Sequence, residues 1–350
     1  MFEGAKMHYD YVMTARKLTA GSFGSDPGPV RYLKVAADQF GYGPKDVIGS
    51  PGEWMREVQG LADGDQNPLS ISPKGDVLIF VHGYNNTIEA VLTRMRRLRN
   101  NLRAEGWRGE IISFDWPSAN QVLNYLEDRA DGAEVALSLV TKGITLLSEG
   151  QKAGCKTNIH VLAHSAGAYV TMEAFVQAEK KGELFKRDWR IGQVAFIGAD
   201  VSAGSLTETS DWSNPMFRRI MRLTNYSSPY DAALAVSNAK RLGTAPRTGR
   251  VGLPEGASSK AVNVNCSDYF SGLKPPAVSD GSSWTHSWHF GDRVFARDLA
   301  MTLEGAIDRR ALPTRKLING ELYLQDKPRP AFQSEWDIKQ TAQYADARTS

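Results

Sequence analysis

The hydrophobic pattern becomes regular at residue 76. Val77-Leu78-Ile79-Phe80-Val81 is an unbroken apolar run closed by His82-Gly83, which is how a strand buried on both faces reads. In the next stretch, Ile88, Val91, Leu92, Met95, Leu98 and Leu102 recur at helical spacing, and Gly106 supplies a stop. Arg94, Arg97 and Arg99 fall mostly off that stripe and read as a solvated helix surface. The same alternation then repeats. Strands are predicted over 110–116, 158–164, 193–200, 220–226 and 261–266. Helices are predicted over the stretch to about residue 150, over 166–181 and over 294–307. Strands alternating with helices imply right-handed crossovers and a largely parallel sheet, an α/β fold.

The two ends are less regular. Tyr9–Met13 and Tyr32–Ala36 read as short strands separated by a Gly/Ser/Pro-rich loop over Gly21–Pro29. Residues 1–75 are therefore strands and loops that precede the main sheet, and residues 76–310 form the core. Residues 311–350 carry Pro313, Pro328 and Pro330, which oppose one long helix. They also carry Leu317, Ile318, Leu322, Tyr323, Leu324, Phe332, Trp336 and Tyr344, too apolar a set for a disordered tail. The expected form is an extended arm docked on this domain or on a sister chain, so a homo-oligomer stays open. LINGELYLQ alternates as an added strand would.

Composition changes this picture little. The 350 residues are 41% hydrophobic with a net charge of +3, which calls for neither nucleic acid nor an acidic membrane as partner. Two cysteines, Cys155 and Cys266, are too few for a disulfide framework or a CxxC metal site. The N-terminus lacks a signal-peptide pattern, and no run of about 18 apolar residues occurs. The expected location is the cytoplasm, with no integral membrane segment.

The chemistry concentrates in NIHVLAHSAGAYV. An apolar strand runs into Ala163-His164-Ser165-Ala166-Gly167, and a helix starts at once. A serine on such a strand-to-helix turn is exposed to substrate, and the helix N-terminus favours developing negative charge beside it. Serine also favours helix N-caps, but the buried strand before it and the amphipathic helix after it make a nucleophile the stronger reading. The earlier turn His82-Gly83-Tyr84-Asn85-Asn86 would supply an oxyanion hole from the N–H of Tyr84 or Asn85, together with that of Ala166. Of six histidines, only His286 and His289 follow Ser165, in WTHSWHF before the last helix. His286 is the favoured base and His289 the alternative. Asp231 is the favoured acid because it follows a short strand and turn and precedes an Ala/Leu helix. Asp200, at the end of a strand, is the alternative.

The segments VLIFVHGYNNT, ISFDWPS, HVLAHSAG, IGADV, NYSSPYDAALAVSNAKRLG and THSWHFGDRVFARDL, in that order, resemble a largely uncharacterised bacterial family of α/β-hydrolases in the esterase/lipase superfamily. The resemblance covers roughly residues 76–305, with a weaker echo at YVMTARK. It implies the α/β-hydrolase fold, with Ser165 as nucleophile, Asp231 as acid and His286 as base. The chain departs from the family pattern at Ala166, where many members have methionine, and by His289 inserted before Phe290. A serine hydrolase acting on a small carboxylic ester through an acyl-enzyme is the expectation, with no metal or organic cofactor implied. An amidase, thioesterase or lipase using the same residues remains open, as does a binding or assembly module that retains the fold.

Overall fold

The computed structural model describes residues 8–62, 76–118, 131–149, 157–240, 245–275 and 284–330. Ten described strands form one sheet: β1 (Tyr9–Thr19), β2 (Ser22–Ala36), β3 (Val77–Val81), β4 (Glu110–Asp115), β5 (Ile159–His164), β6 (Ile191–Ile197), β7 (Ile220–Ser227), β8 (Ala261–Asn265), β9 (Arg315–Ile318) and β10 (Glu321–Leu324). Their order is β2-β1-β4-β3-β5-β6-β7-β8-β10-β9. Every pairing from β1 across to β10 is parallel, while β2 and β9 are added antiparallel, one at each edge. This is the α/β-hydrolase arrangement expected from the sequence, a mainly parallel sheet flanked by helices.

The central strands are apolar on both faces because helices cover both. Val77, Ile79 and Val81 of β3 join one core cluster with Val161 and Ala163 of β5. Leu78, Phe80 and Leu162, one residue out of phase, join the other. That two-residue alternation follows from the pleat. The helices Pro51–Ala62 and Gly167–Lys180 contribute to the first cluster. The helices Ile88–Ala104 and Arg293–Glu304 contribute to the second. Their ends are set locally: Thr87 caps the Ala90 N–H and Asp292 the Phe295 N–H, while Gly305 closes the last helix in the left-handed region.

Two expectations are corrected. Gly21–Pro29 is not a loop: β2 begins at Ser22, after a turn in which Ala20 and Gly21 take positive φ. Pro27 and Pro29 are tolerated there because β2 is an edge strand whose pairing with β1 shifts register. Arg94 and Arg99 do not form a solvated surface, for both are buried. Arg99 pairs with Asp10 and Glu110, and Arg94 bonds the side chain of Asn86. Partners remote in sequence cover that side of the helix, so its local periodicity could not show it.

The C-terminal segment joins the sheet. Asn319 and Gly320, both at positive φ, make the two-residue turn that twists β9 and β10 into a hairpin. β10 then pairs with β8. Leu322 and Leu324 are buried while Leu317 is exposed. Phe332, Trp336 and Tyr344, like Cys155, lie outside the described residues. Cys266 is buried as a free thiol.

The hairpin is anchored by a buried ion pair. Arg315 Nη2 lies 2.6 Å from Asp298 Oδ1, with both side chains fully buried. Thr314 Oγ1 donates to Asp298 Oδ2 at 2.6 Å, and Tyr226 Oη donates to Oδ1 at 2.6 Å. Removing only the cation leaves a buried carboxylate without its counter-charge. Arg315→Ala is therefore expected to cost about 3–5 kcal/mol in chemical denaturation. A loss below about 1 kcal/mol, the range of a surface pair, would show that the pair is not a fastening.

Candidate active site

The chain crosses over between β3 and β5, neighbours in the sheet that lead in sequence to opposite sides. In open α/β sheets, ligands bind beyond the strand ends at such a switch point. Ser165 directly follows β5, and the His82–Asn86 turn follows β3.

Ser165 has φ +55°, a left-handed conformation that a non-glycine residue holds only when its surroundings impose it. The end of β6 does so. Ser165 N–H donates to Ile197 O at 3.1 Å, and Asp200 N–H donates to Ser165 O at 3.1 Å. Gly83 presses on the same point: a Cβ there would lie 2.8 Å from Ser165 Cβ. Gly198 plays the matching part on the other side. Its φ is +51°, and a Cβ would lie 2.9 Å from His286 Nδ1 and 3.2 Å from Asp231 Oδ2.

Asp231 and His286 meet although 55 residues separate them. His286 Nδ1 lies 2.7 Å from Asp231 Oδ2. A carboxylate can only accept there, so Nδ1 carries the proton and Nε2 is left as the lone-pair nitrogen. Asp231 is buried, and its other oxygen accepts the Leu234 N–H at 2.9 Å, capping the helix Ala232–Lys240. Arg250 Nη1 donates to the Asp231 carbonyl at 2.8 Å. Thr285 Oγ1, accepting the Ala232 N–H at 3.2 Å, ties the two loops together.

The alternatives sit elsewhere. Asp200 Oδ1 accepts from Ser237 Oγ at 2.9 Å and lies 3.1 Å from Arg247 Nε. His289 stacks on Trp288 with ring centroids 4.1 Å apart, and its Nδ1 has no hydrogen-bond partner among the described residues. Burial, with His286 nearby, pushes its pKa down to about 3. Of the two oxyanion donors read from the turn, Asn85 is unsuited: its N–H is spent on Ser118 O at 2.6 Å. Asn85 itself has φ +52°. Ala166 directly follows Ser165, and its carbonyl accepts the Val170 N–H at the start of the next helix.

Two groups of residues carry no sequence-derived role. His164, fully buried, donates Nε2–H to the His286 carbonyl at 3.1 Å, and its ring lies 4.6 Å from that of His286. Burial first, then the neighbouring His286 and the Arg94 guanidinium, hold His164 well below the ordinary histidine range. Beneath the turn, Asp115 is bound by His82 Nε2 at 2.8 Å, by Arg16 Nε at 2.9 Å and by Tyr42 Oη. Burial alone would raise its carboxyl; Arg16 and His82 outweigh that and hold it well below the carboxylate range.

The buried neutral histidines give a pH prediction. A histidine whose folded pKa is depressed binds its proton more readily in the unfolded chain, so stability falls as pH drops below about 6.5. For His289, held at about 3, the loss between pH 7 and pH 5 is roughly 2 kcal/mol. His289→Phe keeps a ring on Trp288 and removes that proton. Its denaturation midpoint should fall less between pH 7 and pH 5 than that of the wild type; an equal fall would contradict the burial argument.

With this geometry in place, comparison with known proteins gives the family. A family described as "Alpha/beta hydrolase of unknown function (DUF900)" matches residues 65–264, more than half of the chain. The chain belongs to this α/β-hydrolase family. The matched segment includes the 82–86 turn, Ser165 and Asp231; His286 lies beyond it. No curated protein matches the chain. Similar solved structures include a cutinase-like protein from Cryptococcus sp., at 15% identity and TM-score 0.30 over 67% of this chain and 94% of that one. An esterase from the archaeon Pyrobaculum calidifontis has 15% identity and TM-score 0.34 over 66% and 75%. A metagenomic carboxyl esterase has 12% identity and TM-score 0.32 over 72% and 91%. At such scores these structures add nothing to the family match. Among the described residues, no helix of the α/β hydrolase is long and apolar enough to cross a membrane.

Proposed function

We propose that the protein is a serine hydrolase of small carboxylic esters, with Ser165 as nucleophile, His286 as base and Asp231 as the acid that orients it. The observation that carries this reading is the 2.7 Å contact between His286 Nδ1 and the buried Asp231 carboxylate, taken with a serine held at φ +55° on the turn after β5. A carboxylate that fixes the imidazole tautomer leaves Nε2 to take a proton, and a strained turn presents a hydroxyl to substrate.

In the proposed cycle, Ser165 Oγ attacks the ester carbonyl as His286 Nε2 removes its proton. The carbonyl oxygen becomes an oxyanion held by the N–H groups of Tyr84 and Ala166. His286 then protonates the departing alcohol. Water, deprotonated by the same ring, attacks the acyl-enzyme and returns Ser165 to its hydroxyl form. Asp231 stays ionised and stabilises the imidazolium in both steps.

Turnover of p-nitrophenyl acetate and butyrate, set against the corresponding p-nitroanilides, tests the substrate class. The reading predicts ester turnover far above anilide turnover. Equal rates would make the enzyme an amidase. A folded protein inert toward all of them would favour a binding module.

A further inference from the structure

We propose that Asn86 orients the Tyr84 N–H as the oxyanion donor, braced by Arg94 and Arg16. The inference rests on the serine-hydrolase reading and adds a positioning residue to it.

Asn86 is buried, and all of its polar atoms are engaged. Its Nδ2 donates to Gly83 O at 2.8 Å and to Tyr84 O at 3.1 Å. Its Oδ1 accepts from Arg94 Nη1. Its backbone N–H donates to Ser118 Oγ at 3.1 Å, and its carbonyl accepts from Arg16 Nη2 at 3.0 Å. The side chain cannot be turned over. A guanidinium only donates and a carbonyl only accepts, so Oδ1 must face Arg94 and Nδ2 must face the two carbonyls.

This grip fixes two successive peptides. Gly83 O accepts from His82 Nδ1 at 2.8 Å as well as from Asn86. A trans peptide holds its C=O and N–H antiparallel, and the described residues include no cis bond. Drawing Gly83 O onto His82 and Asn86 therefore turns the Tyr84 N–H to the opposite side, next to the residue that packs on Ser165. Drawing Tyr84 O onto Asn86 likewise sends the Asn85 N–H to Ser118 O. The Asn85 N–H is thereby held within the turn, and the Tyr84 N–H is turned to the face opposite Asn86. Both braces are buried cations. Arg16 also holds Asp115, and Arg94 lies 5.5 Å above the ring of Phe290, four residues beyond His286. Asn86 thus links the oxyanion turn to the segment that carries the base. Donors fixed before the reaction avoid reorganisation when charge develops.

Asn86→Asp tests the idea, because it keeps an acceptor for Arg94 and replaces the amide donor with a second acceptor facing two carbonyls. We expect kcat to fall about 10- to 100-fold with KM within about threefold of the wild type. Binding of a trifluoromethyl ketone that forms an oxyanion adduct should weaken in parallel. Arg94→Met, which keeps a chain over Phe290 and removes the brace, should lower kcat in the same direction by less. Each rate is referred to the sites titrated by a fluorophosphonate, so a misfolded fraction does not count. Wild-type kcat per labelled site in both variants, or a loss confined to melting temperature and active fraction, would overturn the proposal. Ser165→Ala separates the two levels. If it is inactive while Asn86→Asp behaves as the wild type, only this inference fails; if it stays active, the hydrolase reading fails and takes this one with it.

Discussion

Ser165→Ala is expected to fold like the wild type and to lose about 10³-fold or more in kcat on an activated ester. The substitution removes one oxygen and leaves the Cβ that packs on Gly83 in place. The left-handed backbone at this position is held by main-chain bonds to Ile197 and Asp200, and the side chain takes no part in them. Stability should therefore change little while the attacking atom is lost. Residual rate over water would come from the oxyanion donors and substrate binding alone. Turnover of p-nitrophenyl acetate, with circular dichroism as the folding control, checks it. A folded alanine variant with wild-type turnover would contradict the assignment of the nucleophile.

His286→Ala should cost about as much as loss of the serine, because nucleophile and base act as a unit. His289→Ala should cost far less. The two histidines are three residues apart in one short segment, and their surroundings separate them. His286 faces the Asp231 carboxylate at 2.7 Å, whereas His289 is enclosed against Trp288 and Phe295 and has its pKa pushed down to about 3. Steady-state kinetics of both variants at neutral pH decide the point. The reverse ranking would transfer the base to His289.

Much of this was legible in the chain because the central strands are short apolar runs bounded by glycine, histidine or aspartate. β3, β4, β5 and β8 fall within a residue or two of the segments read from pattern alone. The pairing of Asp231 with His286 was also accessible, since the acid must follow a late strand and the base must follow the acid. The edges were harder. Gly21–Pro29 has turn composition, yet it is strand because an edge position tolerates proline and because β1 supplies partners. Arg94 and Arg99 have the spacing of an exposed helix face, and nothing within that helix shows that Asn86, Asp10 and Glu110 meet them. Nothing in the sequence of the 82–86 turn showed that Ser118, 33 residues later, takes the Asn85 N–H. The same holds for His164, whose contact is with the main chain of a residue 122 positions later. Periodicity reports which face is buried; it does not report which polar groups from distant segments are buried with it.

The central claim is that Ser165 is an activated nucleophile, and covalent labelling tests it most directly. The protein is treated with a fluorophosphonate, its intact mass is measured, and the modified peptide is mapped. The account predicts a single adduct per chain, on Ser165, absent from Ser165→Ala and formed much more slowly in His286→Ala. A folded protein that takes no adduct, or takes it on another residue, would contradict it.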